Sequence, residues 1–309
     1  MPHLIRLSVL PLLLPGCLES SLQDADPGLF ACESPADCTP EEFCVVGRCE
    51  VDPPPALEIR DPEQFEVVAS ADGVGTTMDL SITIGGRDMT LVSPTADDAL
   101  GGQGYVEVAL DGQSVGQLTS GSLAGGVLLQ VPGFEATPGA HRISVRALRA
   151  DGTPYDNPQA QAVSLVWVDD GRPQVGIVRP LPGTEFEVGE VETNVEIATL
   201  NFALVPAIAT RDDPHGHAHI HYDDPFPGCV DDPRCDCCYI AIASPTTADV
   251  PAAGFLLDWT QPVTLPGASA GAGRLTAVLR ETDHTPFYDE EGATVFDSID
   301  IARVDRGGP

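Results

Sequence analysis

Leu80, Ile82 and Ile84 alternate with polar neighbours, and the same two-residue period returns in Val106, Val108 and Leu110, in Ile143 and Val145, and in Val195 and Ile197. Successive side chains of a strand point to opposite faces, so each run predicts a strand with one apolar side. Gly and Pro, 31 and 29 residues, punctuate the gaps between runs. Long stretches of helix formers at a 3.6-residue period are missing. The pattern predicts an all-β chain built as antiparallel sandwiches with solvent on their outer faces.

The pattern is also written twice. PPPALEIRDPEQFEV from Pro53 matches RPQVGIVRPLPGTEFEV from Arg172, and GYVEVALDG from Gly104 matches GHAHIHYDD from Gly216. HRISVRALRADGTPY from His141 matches GRLTAVLRETDHTPF from Gly273 without a gap. Three anchors in one order predict a duplication. The domains are then residues 53–170 and 171–305, each with room for about seven strands, the size of an immunoglobulin-like sandwich. No Cys-Trp-Cys pattern of antibody domains occurs, so the expected likeness is one of architecture.

Residues 1–17 differ from the rest. Arg6 precedes an apolar stretch, Leu7 to Leu14, which is too short to span a bilayer, and the segment reads as a secretion signal. Leu14-Pro15-Gly16-Cys17 resembles the lipobox of bacterial lipoproteins, although Pro15 departs from the usual residue. The resemblance implies diacylation of Cys17, and Leu18 after it implies sorting to the outer membrane or cell surface, with the lipid as membrane anchor. Nine cysteines then become eight. Cys32, Cys38, Cys44 and Cys49 form one group, and Cys229, Cys235, Cys237 and Cys238 the other. Two disulfides per group is the default in an oxidising compartment.

Residues 18–52 hold a tether and the first cysteine group, a segment too short to bury a core without bridges. Its C-x5-C-x5-C-x4-C spacing resembles small Cys-rich modules that follow the lipid anchor in myxobacterial-type outer-membrane lipoproteins. Zinc is the alternative for four cysteines, against which stands the lack of a C-x2-C pair. For the second group a soft-metal loop is the alternative to disulfides.

HGHAHIHY, residues 215–222, carries the one dense set of metal-ligating side chains. Alignment with the first copy puts Ala218, Ile220 and Tyr222 inward, in the places of Val106, Val108 and Leu110. His217, His219 and His221 then share the opposite face, toward solvent or a covering loop, where the first copy has Tyr105, Glu107 and Ala109. Neighbours on one strand face stand about 6.5–7 Å apart, so one ion takes two of the three and needs a third ligand from elsewhere. His284 is that candidate, because it replaces Gly152 of the first copy. A shared ion requires the His219 and His284 rings to lie within about 5 Å, and about 10 Å would exclude one. Imidazole favours zinc or copper over calcium, and Asp223 and Asp283 are candidates to orient the rings. The alternative is an exposed histidine face without a ligand. G-H-x-H with a later D-H-x-P resembles immunoglobulin-like repeats of bacterial surface lipoproteins, written GHxHxYxDG, with His221 and Asp224 departing from that form. The resemblance implies no activity.

Catalytic signals are poor. Gly267-Ala268-Ser269-Ala270-Gly271 spells a nucleophile elbow, but lies in a Pro/Gly-rich loop where that chemistry needs a strand-turn-helix. The chain reads as a non-enzyme. A zinc enzyme with three histidines and an open position is the remoter alternative. With 47 acidic against 15 basic residues the formal charge is −32, which repels nucleic acid and gathers cations. The first expectation is a lipid-anchored envelope protein that displays two sandwiches to a protein, glycan or ion. The second is an extracytoplasmic zinc- or copper-binding protein.

Overall fold

The computed structural model describes residues 42–45, 48–51, 55–70, 72–95, 102–155, 157–205, 215–223, 239–244, 257–289 and 292–306. The chain divides into two compact units, residues 1–53 and 54–309. In the first, β1 (Glu42–Val45) and β2 (Arg48–Val51) form an antiparallel hairpin whose register sets Cys44 opposite Cys49. Cys17, the expected lipidation site, Cys32, Cys38 and the whole second cysteine group lie outside the described residues.

In the second unit the strands come in two sets. The first comprises β3 (Ala56–Asp61), β4 (Val67–Ala69), β5 (Thr77–Arg87), β6 (Thr90–Leu91), β7 (Gln103–Leu110), β8 (Gln113–Leu118), β9 (Val127–Glu135), β10 (Gly139–Arg149) and β11 (Gln161–Val168). The second comprises β12 (Gln174–Arg179), β13 (Glu185–Glu187), β14 (Val191–Leu200), β15 (Ala203–Leu204), β16 (His215–Tyr222), β17 (Tyr239–Ala243), β18 (Leu257–Leu265), β19 (Gly271–Glu281) and β20 (Phe296–Val304). A sheet β3-β5-β9 faces β4-β11-β10-β7-β6, with β8 on β7; a sheet β12-β14-β18 faces β13-β20-β19-β16-β15, with β17 on β16.

Each connection of the first set recurs in the second, and the order is that of an immunoglobulin-like sandwich, a three-stranded sheet against a larger one. Each set has more strands than the seven anticipated. The opening strand is divided between the two sheets, as β3 and β4 or β12 and β13, and a two-residue strand adds to each larger sheet. No helix among the described residues is long and apolar enough to cross a membrane.

The alternation read from the sequence is what fills both interiors. Ile82, Ile84, Val106, Val108, Ile143 and Val145 are essentially inaccessible in the first core, and Val195, Ile197, Ala218, Ile220, Leu275 and Ala277 in the second. Burying a side chain of this kind contributes roughly 1.5–3 kcal/mol. Gly104 and Gly216 begin equivalent strands at points where the opposing carbonyl, of Leu148 or Arg280, leaves no room for a Cβ.

Two outward positions depart from the solvated-face expectation. Leu165 and Trp167 on β11 are buried with Ala198 and Leu200 of β14, and with Phe65, Ala140 and Val178 around them. A third apolar cluster therefore joins the two sandwiches. Polar contacts ring it: Arg142 donates to the Ile177 carbonyl at 3.0 and 3.2 Å and pairs with Asp297, whose carboxylate also accepts the Ile177 N–H at 2.7 Å. The connection itself is held by the Gln174 amide on the Val168 carbonyl and by Asn201 on Asp169.

Candidate metal centre

Strand β16 is central in its sheet, paired antiparallel with β19 on one side and β17 on the other. Its pleat sends Ala218 and Ile220 into the core and His217, His219 and His221 to the other face, in the phase the first copy implies. That face is covered: all three histidines are fully buried. Across the ladders His217 stands opposite Arg280, His219 opposite Val278 and Ile242, and His221 opposite Thr276 and Tyr239.

His284 reaches the same place from the turn that follows β19. Its N–H bonds the Glu281 carbonyl at 3.0 Å and its φ is 68°, the left-handed region. In the first copy Gly152 makes the matching bond to Arg149 with φ 88°. The turn is thus inherited, and the second copy places a side chain where the backbone favours glycine, at a cost of roughly 1–2 kcal/mol. Strain of this kind, held by its surroundings, marks functional positions.

The geometry is convergent. His217 Nε2 lies 3.1 Å from His219 Nε2, and His219 Nε2 lies 3.2 Å from His284 Nδ1. One ring nitrogen from each of the three falls within 4.8 Å of the others. The His219 and His284 ring centroids are 5.3 Å apart, close to the limit set for a shared ion, and their facing nitrogens are well within it. His221 is not brought into the group; its ring lies 6.1 Å from that of His219. Tyr239, which the sequence reading did not single out, packs its ring 4.3 Å from His219. Only its position just after the second cysteine group, on the strand beside β16, could have drawn attention to it.

Charge and tautomer decide what this arrangement wants. Burial pushes the His219 pKa down to about 2, with the nearby His217, Arg280, His221 and His284 adding to the effect. His217 is lowered to about 4 by burial, then by His284 and Arg280, with Asp283 opposing. Both rings are therefore neutral near pH 7. A neutral imidazole nitrogen carries either one hydrogen or one lone pair, so His219 Nε2 cannot fully satisfy two facing nitrogens. A cation placed among the three satisfies all of them at once. Tetrahedral zinc with Zn–N near 2.0–2.1 Å sets its ligand nitrogens roughly 3.3 Å apart, close to the two separations found.

His217 Nδ1 and His219 Nδ1 are buried without a hydrogen-bond partner among the described residues. Asp223 Oδ1 accepts the Arg274 N–H, at the far end of the strand, and Asp283 Oδ1 accepts the Thr285 N–H and hydroxyl. These bonds shape turns. Arg280, the buried neighbour of His217, donates to the His284 carbonyl at 3.4 Å. The Gly267–Gly271 stretch runs from the end of β18 into β19 with Ser269 exposed, a strand-loop-strand and no elbow.

No protein-family model and no curated protein matches the chain. Among solved structures it is similar to fibronectin(III)-like modules of Clostridium thermocellum CbhA, at 13% identity over 81% of this chain and 94% of that one, with a TM-score of 0.25. It is also similar to the central fibronectin-III array of RIM-binding protein, at 12% identity over 83% and 71%, with a TM-score of 0.21. A putative membrane-anchored protein from Corynebacterium diphtheriae shares 11% identity over 83% and 59%, with a TM-score of 0.23. At such TM-scores these likenesses carry no functional weight, and the fold assignment rests on the strand order itself.

Proposed function

We propose that the protein is an exported, lipid-anchored β-sandwich protein with a binding role, and that its second sandwich binds one zinc or copper ion through His217, His219 and His284. The carrying observation is the meeting of three imidazole nitrogens, 3.1 and 3.2 Å apart, two from buried side chains of one strand and the third from a half-buried residue 65 positions further along the chain. The donor set is nitrogen-only, which suits zinc or copper and not calcium or magnesium. Cys17 supplies the membrane attachment in this reading, and the first sandwich, lacking the histidines, serves as scaffold or as a docking module for an envelope protein or glycan. No catalytic residue is assigned.

Elemental analysis of the exported full-length protein tests the metal. One equivalent of zinc or copper per chain is expected, lost in His219→Ala and in His284→Gly. His284→Gly restores the residue of the first copy and suits the left-handed backbone, so its fold is kept while the ligand is removed. Wild-type protein that holds no metal after incubation with either ion overturns the assignment. Replacing Cys17 with Ser should release the protein from membranes, and retention would overturn the anchor.

A further inference from the structure

His284 opens the segment joining β19 to β20, and the other end of that segment is built into the junction between the sandwiches. Its bonding is dense: Glu281 N–H to Thr285 O at 2.9 Å, Phe287 N–H to Leu279 O at 3.0 Å, Val295 N–H to Phe287 O at 3.2 Å and Leu279 N–H to Val295 O at 3.0 Å. Bridges join Arg280 to Pro286 and Tyr288 to Thr294. Asp289, at the second turn, lies 3.9 Å from Arg172 of the connection. Asp297, thirteen positions after His284, holds both Arg142 of the first sandwich and the Ile177 N–H of the second. Asp289 and Asp297 also line a cleft of about 270 Å³ at the junction, together with Pro138, Ala140 and Arg172.

Resting on the metal reading above, we infer that occupancy of the histidine group and the tightness of the junction are coupled through residues 282–289 and 292–297. An ion that fixes His284 against β16 fixes one end of a hydrogen-bonded segment whose other end carries Asp289 and Asp297. Order gained at the histidine end lowers the cost of order at the junction end, and the reverse. The effect is reciprocal: what the ion does to the junction, a weakened junction must do to the ion.

The second copy supplies a control. Arg142 and Arg274 occupy equivalent positions on β10 and β19, but Arg274 pairs with Asp300 on the exposed face at 3.0 Å and touches no junction.

The test is zinc affinity of the full-length protein, measured by chelator competition for wild type, Arg142→Ala, Asp297→Asn and Arg274→Ala. Arg142→Ala and Asp297→Asn, which touch no proposed ligand, should each weaken zinc about fivefold or more, the lower end of usual coupling. Arg274→Ala should leave it unchanged. In a Trp259→Phe background, Trp167 is the sole indole, and zinc should reduce its accessibility to a neutral quencher. Equal affinities within twofold for all four proteins, with Trp167 indifferent to zinc, overturn the coupling while leaving the metal site standing. Wild type that binds neither zinc nor copper overturns both, and a chain that takes copper alone is put through the same comparison with copper.

Discussion

Strands β7 and β16 are the same strand in two copies, and it is on one face that their chemistry is rewritten. The inward positions keep their character, Val106 and Val108 becoming Ala218 and Ile220, all fully buried. The outward positions change from Tyr105, Glu107 and Ala109 to three histidines, and the facing turn changes from Gly152 to His284. A pleated strand separates the two tasks physically. The core face carries the stability of the sandwich, and the other face can be rewritten without disturbing it.

Exchanges between the copies break or sharpen this contrast. The largest effect belongs to the shared face: Ile220→Ala should cost about 2–5 kcal/mol in denaturant unfolding, with or without metal. A loss below about 1 kcal/mol would mean that the strand phase is wrong. Next comes the rewritten face. Converting His217, His219 and His221 to Tyr, Glu and Ala should abolish stoichiometric metal while far-UV circular dichroism stays that of a β protein.

The turn gives opposite signs in the two copies. Gly152→Ala should destabilise by roughly 1 kcal/mol at φ 88°, whereas His284→Gly should stabilise the metal-free protein by a similar amount. Two losses of stability in those unfolding curves would contradict the shared backbone.

The smallest effect lies in a feature only the first copy has. His141 is buried, which disfavours its charged form. The bond from Nδ1 to Asp111 at 2.7 Å, with help from Nε2 on the Thr137 carbonyl at 2.8 Å and the Asp111 charge, outweighs burial and raises its pKa above 6.5. A raised folded pKa stabilises fully below the unfolded value and is lost as pH rises through the folded one. Wild type should therefore lose, as pH rises above 6.5 and through the raised folded pKa, an increment that Asp111→Asn lacks. The second copy has Gly273 at this position and contributes nothing comparable; parallel pH profiles for the two proteins would refute the assignment.

Much of this was legible in the chain. The period-two runs gave the strands and their inward residues, because burial on one face imposes that period. His284 was visible because the match from His141 to Tyr155 has no gap, so the residue facing Gly152 is unambiguous. The covered face of β16 was not legible: alternation says which side chains share a face and not what lies over it. Nor was the junction read, although Leu165-Val166-Trp167-Val168 is apolar throughout, where its counterpart Asp300-Ile301-Ala302-Arg303 sets a charged residue at each end. A continuous apolar run signals burial on both faces. The exclusion of His221 depended on ring positions in space, which spacing along a strand does not fix.

That apolar run has a practical consequence. Leu165 and Trp167 are nearly inaccessible because the neighbouring copy covers them, while their counterparts are an exposed Asp300 and a half-buried Ala302. Severing the polypeptide between Asp169 and Arg172 would therefore not liberate two autonomous halves of equal solubility. The amino-terminal piece would carry away a bare indole and a leucine, sticky where the intact protein is smooth.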